Sequence, residues 1–208
     1  MKPFSFSSSS KYSPPGTNGE LPGSFHFQVR AAKARDLAGL AEILADSFHS
    51  RQGMGGWIYP LLRLGIYEDL RNRLQSNSPR YVCLVAVETA CIRSDELNYP
   101  VGTLEMSLRS TYPWPLMGVS QYPYISNLAV KTECRRQGIA KQLLLNCEQI
   151  ALGWGFQDIY LHVLENNHKA RRLYFKLGYR LHQIDSGWSS LLFGQPRRLL
   201  LRKQLSGK

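Results

Sequence analysis

Two hydrophobic periods alternate along the chain from residue 25 to residue 205 and divide it into strands and helices. FHFQVR (Phe25–Arg30) alternates apolar and polar positions and predicts a first strand. After it, Leu37, Leu40, Leu44 and Phe48 recur on one helical face. Ile58, Leu62, Ile66, Leu70 and Leu74 recur every four residues, and Pro60 lies near the start of that helix, where a missing N–H costs little. YVCLVAVE and VGTLEMSL then read as strands joined through RSDELNY. The proline- and aromatic-rich STYPWPLMGVSQYP has no period and predicts a long excursion, followed by a strand at YISNLAV. Ile139, Leu143, Cys147, Ile150 and Trp154 mark a third helix, DIYLHV a strand, and HKARRLYFKLGY a short helix closed by Gly178. YRLHQI and RRLLLRKQL end the chain as strands. The order β-α-α-β-β-β-α-β-α-β-β predicts an α/β fold, one mixed sheet with helices on its faces.

Composition narrows this only a little. At 208 residues, with 43% hydrophobic and 20% charged positions, the chain suits one globular core. Residues 1–24 are rich in Ser, Pro and Gly and lack periodicity, so a disordered N-terminal tail is expected before a domain spanning residues 25–208. No apolar run approaches the roughly 20 residues of a membrane span. The net charge of +11 draws the protein toward a nucleic acid, an anionic membrane or a polyanionic small molecule without choosing among them. Cys83, Cys91, Cys134 and Cys147 show no metal-ligand spacing and no disulfide density, which predicts reduced thiols and no metal. Cys134 stands beside Arg135 and Arg136, but a spacer thiol is the simpler expectation.

The chemistry concentrates at RRQGIAKQLL (Arg135–Leu144), which joins a strand to a helix. A helix start leaves its first N–H groups unpaired and presents about half a positive charge, so it suits phosphate oxygens. Gly138 admits close backbone approach, Ala140 keeps the next turn small, and Arg135, Arg136 and Lys141 add charge. Neither GxxxxGK[ST] nor GxGxxG is present, which excludes a P-loop and a Rossmann fingerprint.

YISNLAV, RRQGIAKQLL and LHVLENNHKARRLYFKLGY together resemble the GNAT superfamily of acyl-CoA-dependent N-acetyltransferases. The family pattern is a strand, [RQ]xxGx[GA], a helix, a strand, an asparagine and AxxxYxxxG[FY]. It falls here on Arg135, Gly138, Ala140, Asn167, Ala170, Tyr174, Gly178 and Tyr179, and the resemblance extends from about Phe25 to Leu205. GWIYPLLRLGIYEDLRNRL looks like the branch found in cyanobacteria and plastids. The resemblance implies a GNAT-like single domain with a mixed sheet of about seven strands flanked by about four helices, and acetyl-CoA as co-substrate without a metal. It further implies that amides of Arg136, Gln137, Gly138, Ile139, Ala140 and Lys141 hold the pyrophosphate, with Arg135 a further cofactor-binding residue, while the Leu128, Ala129 and Val130 backbone pairs with pantetheine. Asn167, His168 and Lys169 would contact the same arm, and Tyr174 would sit near the sulfur. Because a phenol titrates near 10 and a thiol near 8.5, Tyr174 must either be made more acidic or act mainly as a hydrogen-bond donor.

Glu105 is the first candidate for the base that neutralises the acceptor amine, with an outward-facing strand carboxylate as the alternative reading; His162 is the second candidate. Tyr112, Trp114 and Tyr122 are expected to line the acceptor groove. The reading is transfer of acetyl to protein or peptide amines, lysine side chains first and N-terminal α-amines as an extension. Arylalkylamine acetylation, or a non-catalytic CoA-sensing or nucleic-acid-binding module, is the alternative. Dispersed arginines and the absence of an RNA-binding signature argue against nucleic acid. The expected compartment is a cytoplasm, or a plastid stroma if the tail is a presequence.

Overall fold

A computed structural model describes residues 26–48, 59–76, 78, 80–89, 99–111, 120–185 and 196–205. Seven strands form one sheet in the order β1-β2-β3-β4-β5-β7-β6. They are β1 (Phe27–Ala31), β2 (Tyr81–Glu88), β3 (Pro100–Thr111), β4 (Ser120–Val130), β5 (Asp158–Leu164), β6 (Arg180–Asp185) and β7 (Arg198–Gln204). The helices are α1 (Leu37–Phe48), α2 (Tyr59–Gln75), α3 (Ile139–Gly153) and α4 (His168–Lys176), so the chain order is the expected one. All neighbouring strands are antiparallel except β4 and β5, whose parallel pairing requires the crossover through α3.

Alternation along β2 assigns the two faces of the sheet. Leu84 and Ala86 pack with Leu143, Leu144 and Ile139 of α3, whereas Cys83, Val85 and Val87 pack with Leu40, Ile43 and Leu44 of α1 and Leu70 of α2. Gly102 lets α3 lie close to β3, because a Cβ there would stand 2.9 Å from Ile139 Cγ2 and 3.2 Å from the Ala129 carbonyl. Helix α2 is largely exposed; Leu70 is its one buried residue, and Leu61 and Leu64 face outward.

Strands β3 and β4 run further into the aromatic segment than the sequence suggested. β3 continues to Thr111 and β4 begins at Ser120, so Tyr122 is a strand residue rather than a loop residue. Tyr112 and Trp114 lie outside the described residues, as do the expected tail (residues 1–24), Cys91 and Ile58.

Candidate functional site

The sheet is split in its middle. Register pairing between β4 and β5 consists of Tyr124 with Tyr160 and Ile125 with Leu161, and ends there. Beyond that point the strands' carboxyl ends separate, so the β5-facing backbone edge of β4 from Ser126 to Val130 is left open.

An extra residue in β4 shapes this edge. Thr103 stands opposite Ala129 and Glu105 opposite Ser126, so two steps on β3 face three on β4. Asn127 adopts φ 52°, the left-handed conformation that asparagine tolerates better than most side chains. In an unbroken strand Ile125 and Ala129 would share a face. Here Ile125 packs toward α3 and Ala129 toward α1, as a bulge between them requires. Leu128 and Val130 accordingly turn toward the α3 core.

The bulge is held by Glu105. Its carboxylate is 1% exposed and accepts from Arg73 Nη1 at 2.8 Å, Tyr81 Oη at 2.9 Å and Asn127 Nδ2 at 2.7 Å. Glu105 therefore points inward, against the expectation of an outward-facing strand carboxylate, and its two oxygens face three donors. Burial first, and the Glu105 charge second, push the Tyr81 phenol far above its ordinary range, so it remains a donor.

At the open end of the split, the chain leaves β4 through a 3-10 turn (Thr132–Cys134) and enters α3. Arg136 has φ 69° and Gly138, the residue before the helix, φ 85°. The first intrahelical bond runs from Gln142 N–H to the Gly138 carbonyl at 3.0 Å, so the N–H groups of Ile139, Ala140 and Lys141 have no intrahelical acceptor, and no side chain caps them. A Cβ on Gly138 would meet no protein atom within 4 Å. Arg136, Gln137 and Lys141 are exposed around this concavity, while Arg135 donates to the Val130 carbonyl at 3.1 Å and ties the loop to the strand end. The cradle, its open amides and its surplus of positive charge fit a diphosphate. Cys134 is a core residue whose thiol is pushed up by burial, the opposite of an activated nucleophile.

Helix α4 begins on the other side of the split. Asn167 caps it by accepting from Ala170 N–H at 3.1 Å, leaving its amide NH2 group to donate. His168 and Lys169 are exposed in the first turn, and His168 borders a shallow recess with Arg171, Arg172, Phe175 and Lys176. Tyr174 is buried against Tyr179 with ring centroids 5.7 Å apart. Its hydroxyl makes no hydrogen bond among the described residues. Burial, with the nearby Tyr124 phenol second, pushes Tyr174 well above the ordinary phenol range.

On the sheet face opposite α3, the closed end of the split carries a polar chain. Tyr124 Oη lies 2.9 Å from His162 Nδ1, and His162 Nε2 lies 2.8 Å from Asp185 Oδ2. Burial is the largest cause lowering the His162 pKa, Arg198 adds to it, and Asp185 opposes it, so the imidazole is neutral near pH 7. Tyr122, Tyr160 and His182 continue this face as edge-to-face contacts at 5.0 and 5.6 Å. Of this set, sequence reasoning found His162 and Tyr122. The polar phase of DIYLHV was the available signal for the rest, but only strand order reveals that Tyr124 and Asp185 flank the histidine.

A family model described as acetyltransferase (GNAT) family matches residues 37–179. The chain belongs to the GNAT family. It is 30% identical over 168 residues to GCN5-related N-acetyltransferase 10, chloroplastic, of Arabidopsis thaliana, covering 79% of this chain and 66% of that protein. It is 35% identical over 123 residues to GCN5-related N-acetyltransferase 7, chloroplastic, of the same plant, covering 54% and 45%. The GNAT chain thus spans about half to two thirds of these relatives. Arabidopsis thaliana NAA60, solved with a bisubstrate analogue, shares the fold with TM-score 0.64 at 23% identity, over 88% of this chain and all of that one.

Proposed function

We propose that the protein is an N-acetyltransferase that moves an acetyl group from acetyl-CoA to protein amines. One observation carries this reading: the split between β4 and β5 has an open helix start at its wide end and the Tyr124–His162–Asp185 chain at its closed end. A thioester entering the split with its diphosphate on the amides of residues 136–141 would lay its pantetheine amides along Leu128, Ala129 and Val130 like an added strand. Asn167, His168 and Lys169 would flank that arm. The acetyl carbon would then arrive near His162.

The acceptor must be neutral to attack, and only about one lysine amine in 2,500 is neutral at pH 7. In our reading His162 takes the proton through the Tyr124 hydroxyl, which lies 2.9 Å from its Nδ1 and passes its own proton on as it accepts that of the amine, while Asp185 holds Nε2. Glu105, the first candidate from sequence, instead serves to fix the bulge, because its oxygens are already committed to Arg73, Tyr81 and Asn127. The amine nitrogen bonds to the carbonyl carbon, the C–S bond breaks, and the electron pair leaves on sulfur. Tyr174, whose burial makes it a poor acid, would donate a hydrogen bond to that thiolate rather than surrender its proton outright.

The aromatic row Tyr122, Tyr160 and His182 supports a second reading in which the acceptor is a small arylalkylamine. Among the described residues no helix is long and apolar enough to cross a membrane. The chloroplast relatives favour a plastid stroma or the cytosol of a photosynthetic cell as the compartment. Calorimetric titration with acetyl-CoA, followed by thiol release with lysine peptides, N-terminal peptides and tryptamine, tests the proposal. Binding plus release with peptides is the expected result; release with tryptamine alone overturns the choice of acceptor, and absence of binding overturns the whole reading.

A further inference from the structure

Three guanidinium groups on or beside the sheet are matched by carboxylates, Arg30 by Asp36, Arg202 by Asp158 and Arg197 by Glu165, and Arg180 of β6 donates to the Phe175 and Tyr179 carbonyls. Two others have no such partner among the described residues. Arg109 of β3 holds its Cζ 3.4 Å from the centre of the Tyr124 ring. Arg198 of β7 stands directly opposite Asp185 on one side and Leu164 on the other, which puts it on the same face as His162. Both arginines are exposed, and neither has a carboxylate within ion-pair distance among the described residues. Asp185 is bonded to His162 and to Gln183 Nε2 at 3.2 Å and forms no ion pair with either arginine; its single charge offsets one of the two and leaves an excess of positive charge.

The groups around the imidazole are therefore Arg109 from β3, Tyr124 from β4, Asp185 from β6 and Arg198 from β7. Two cations face one carboxylate, and that carboxylate is already bonded to the histidine. The closed end of the split is consequently positive where the acceptor must dock. A lysine-rich or otherwise cationic acceptor would be repelled there. We propose that Arg109 and Arg198 select acceptors that carry an anionic group, a carboxylate, beside the reacting amine. This rests on the acetyl-transfer reading above. The same two charges favour the neutral form of the incoming amine, so selection and activation act in one direction.

The test uses the full chain and peptides with one reactive amine flanked by Glu, Gln or Lys. The expected kcat/KM for the Glu peptide exceeds that for the Lys peptide by about tenfold, as two exposed charge contacts allow, and the ratio shrinks in high salt. Arg109→Glu combined with Arg198→Glu should reverse the order, and Arg109→Gln with Arg198→Gln should level it, while acetyl-CoA affinity measured by calorimetry stays as in the parent. Equal rates for the Glu and Lys peptides, or a ratio untouched by either double variant, would overturn the selection while leaving acetyl transfer intact. Acetyl-CoA binding without turnover of any peptide in the series also overturns it. Loss of acetyl-CoA binding by the parent protein removes the underlying reading instead.

Discussion

Tyr174 and His162 sit at the two sides of the proposed reaction, and their surroundings push them in opposite directions along the pH scale. Burial raises the phenol of Tyr174, so in the proposed role it is a hydrogen-bond donor to sulfur, and removing its hydroxyl would take that donor away. Tyr174→Phe should lower kcat by about ten- to a hundredfold with acetyl-CoA affinity changed less than threefold. Equal turnover in single-turnover kinetics would exclude its role. His162 is lowered, chiefly by burial and then by Arg198. A base whose pKa is depressed is fully active above that pKa and loses activity as protons are added. The acid limb of kcat should therefore have its midpoint below 6.5, and His162→Gln should remove that limb together with about a hundredfold or more of the rate. A limb retained in the variant would assign the proton to another group.

The loop before α3 and the bulge in β4 each depend on a backbone conformation that one residue makes affordable. At Gly138 the protein itself has room for a side chain, but a φ of 85° and an approaching diphosphate do not. Gly138→Glu should weaken acetyl-CoA binding by at least about tenfold in titration calorimetry while the fold persists, since both strain and like charge oppose the ligand. Glu105→Gln keeps the shape but forfeits the charge facing Arg73, which should cost about 1–3 kcal/mol in denaturant unfolding and raise KM for acetyl-CoA more than it lowers kcat. If Glu105 were the base, kcat would fall instead and its pH profile would change.

Most elements were legible because their periodicity is local. β2 occupies the eight positions YVCLVAVE predicted, and α3 and α4 start at the expected residues. The bulge was not legible, since it exists only as a count of β4 residues against β3. The inward turn of Glu105 follows from that same register. Tyr124, His162 and Asp185 are separated by 38 and 23 positions and meet only through the sheet order.

At the scale of the whole molecule, strands β1 to β4 and strands β5 to β7 form two plates. They are stitched by two register pairs and by the packing of α3 beneath them. Past Ile125, β4 has no β5 residue paired with it, and of its backbone groups the Val130 carbonyl takes a donor from Arg135 instead. A bound coenzyme would act as mortar between the plates, supplying amides where β5 has veered away. Deuterium uptake at Ser126–Val130 and at His162–Leu164 should therefore slow together when acetyl-CoA is added. Amides in β1 and β2, four and three places from β5 in the sheet order, should keep their original rates.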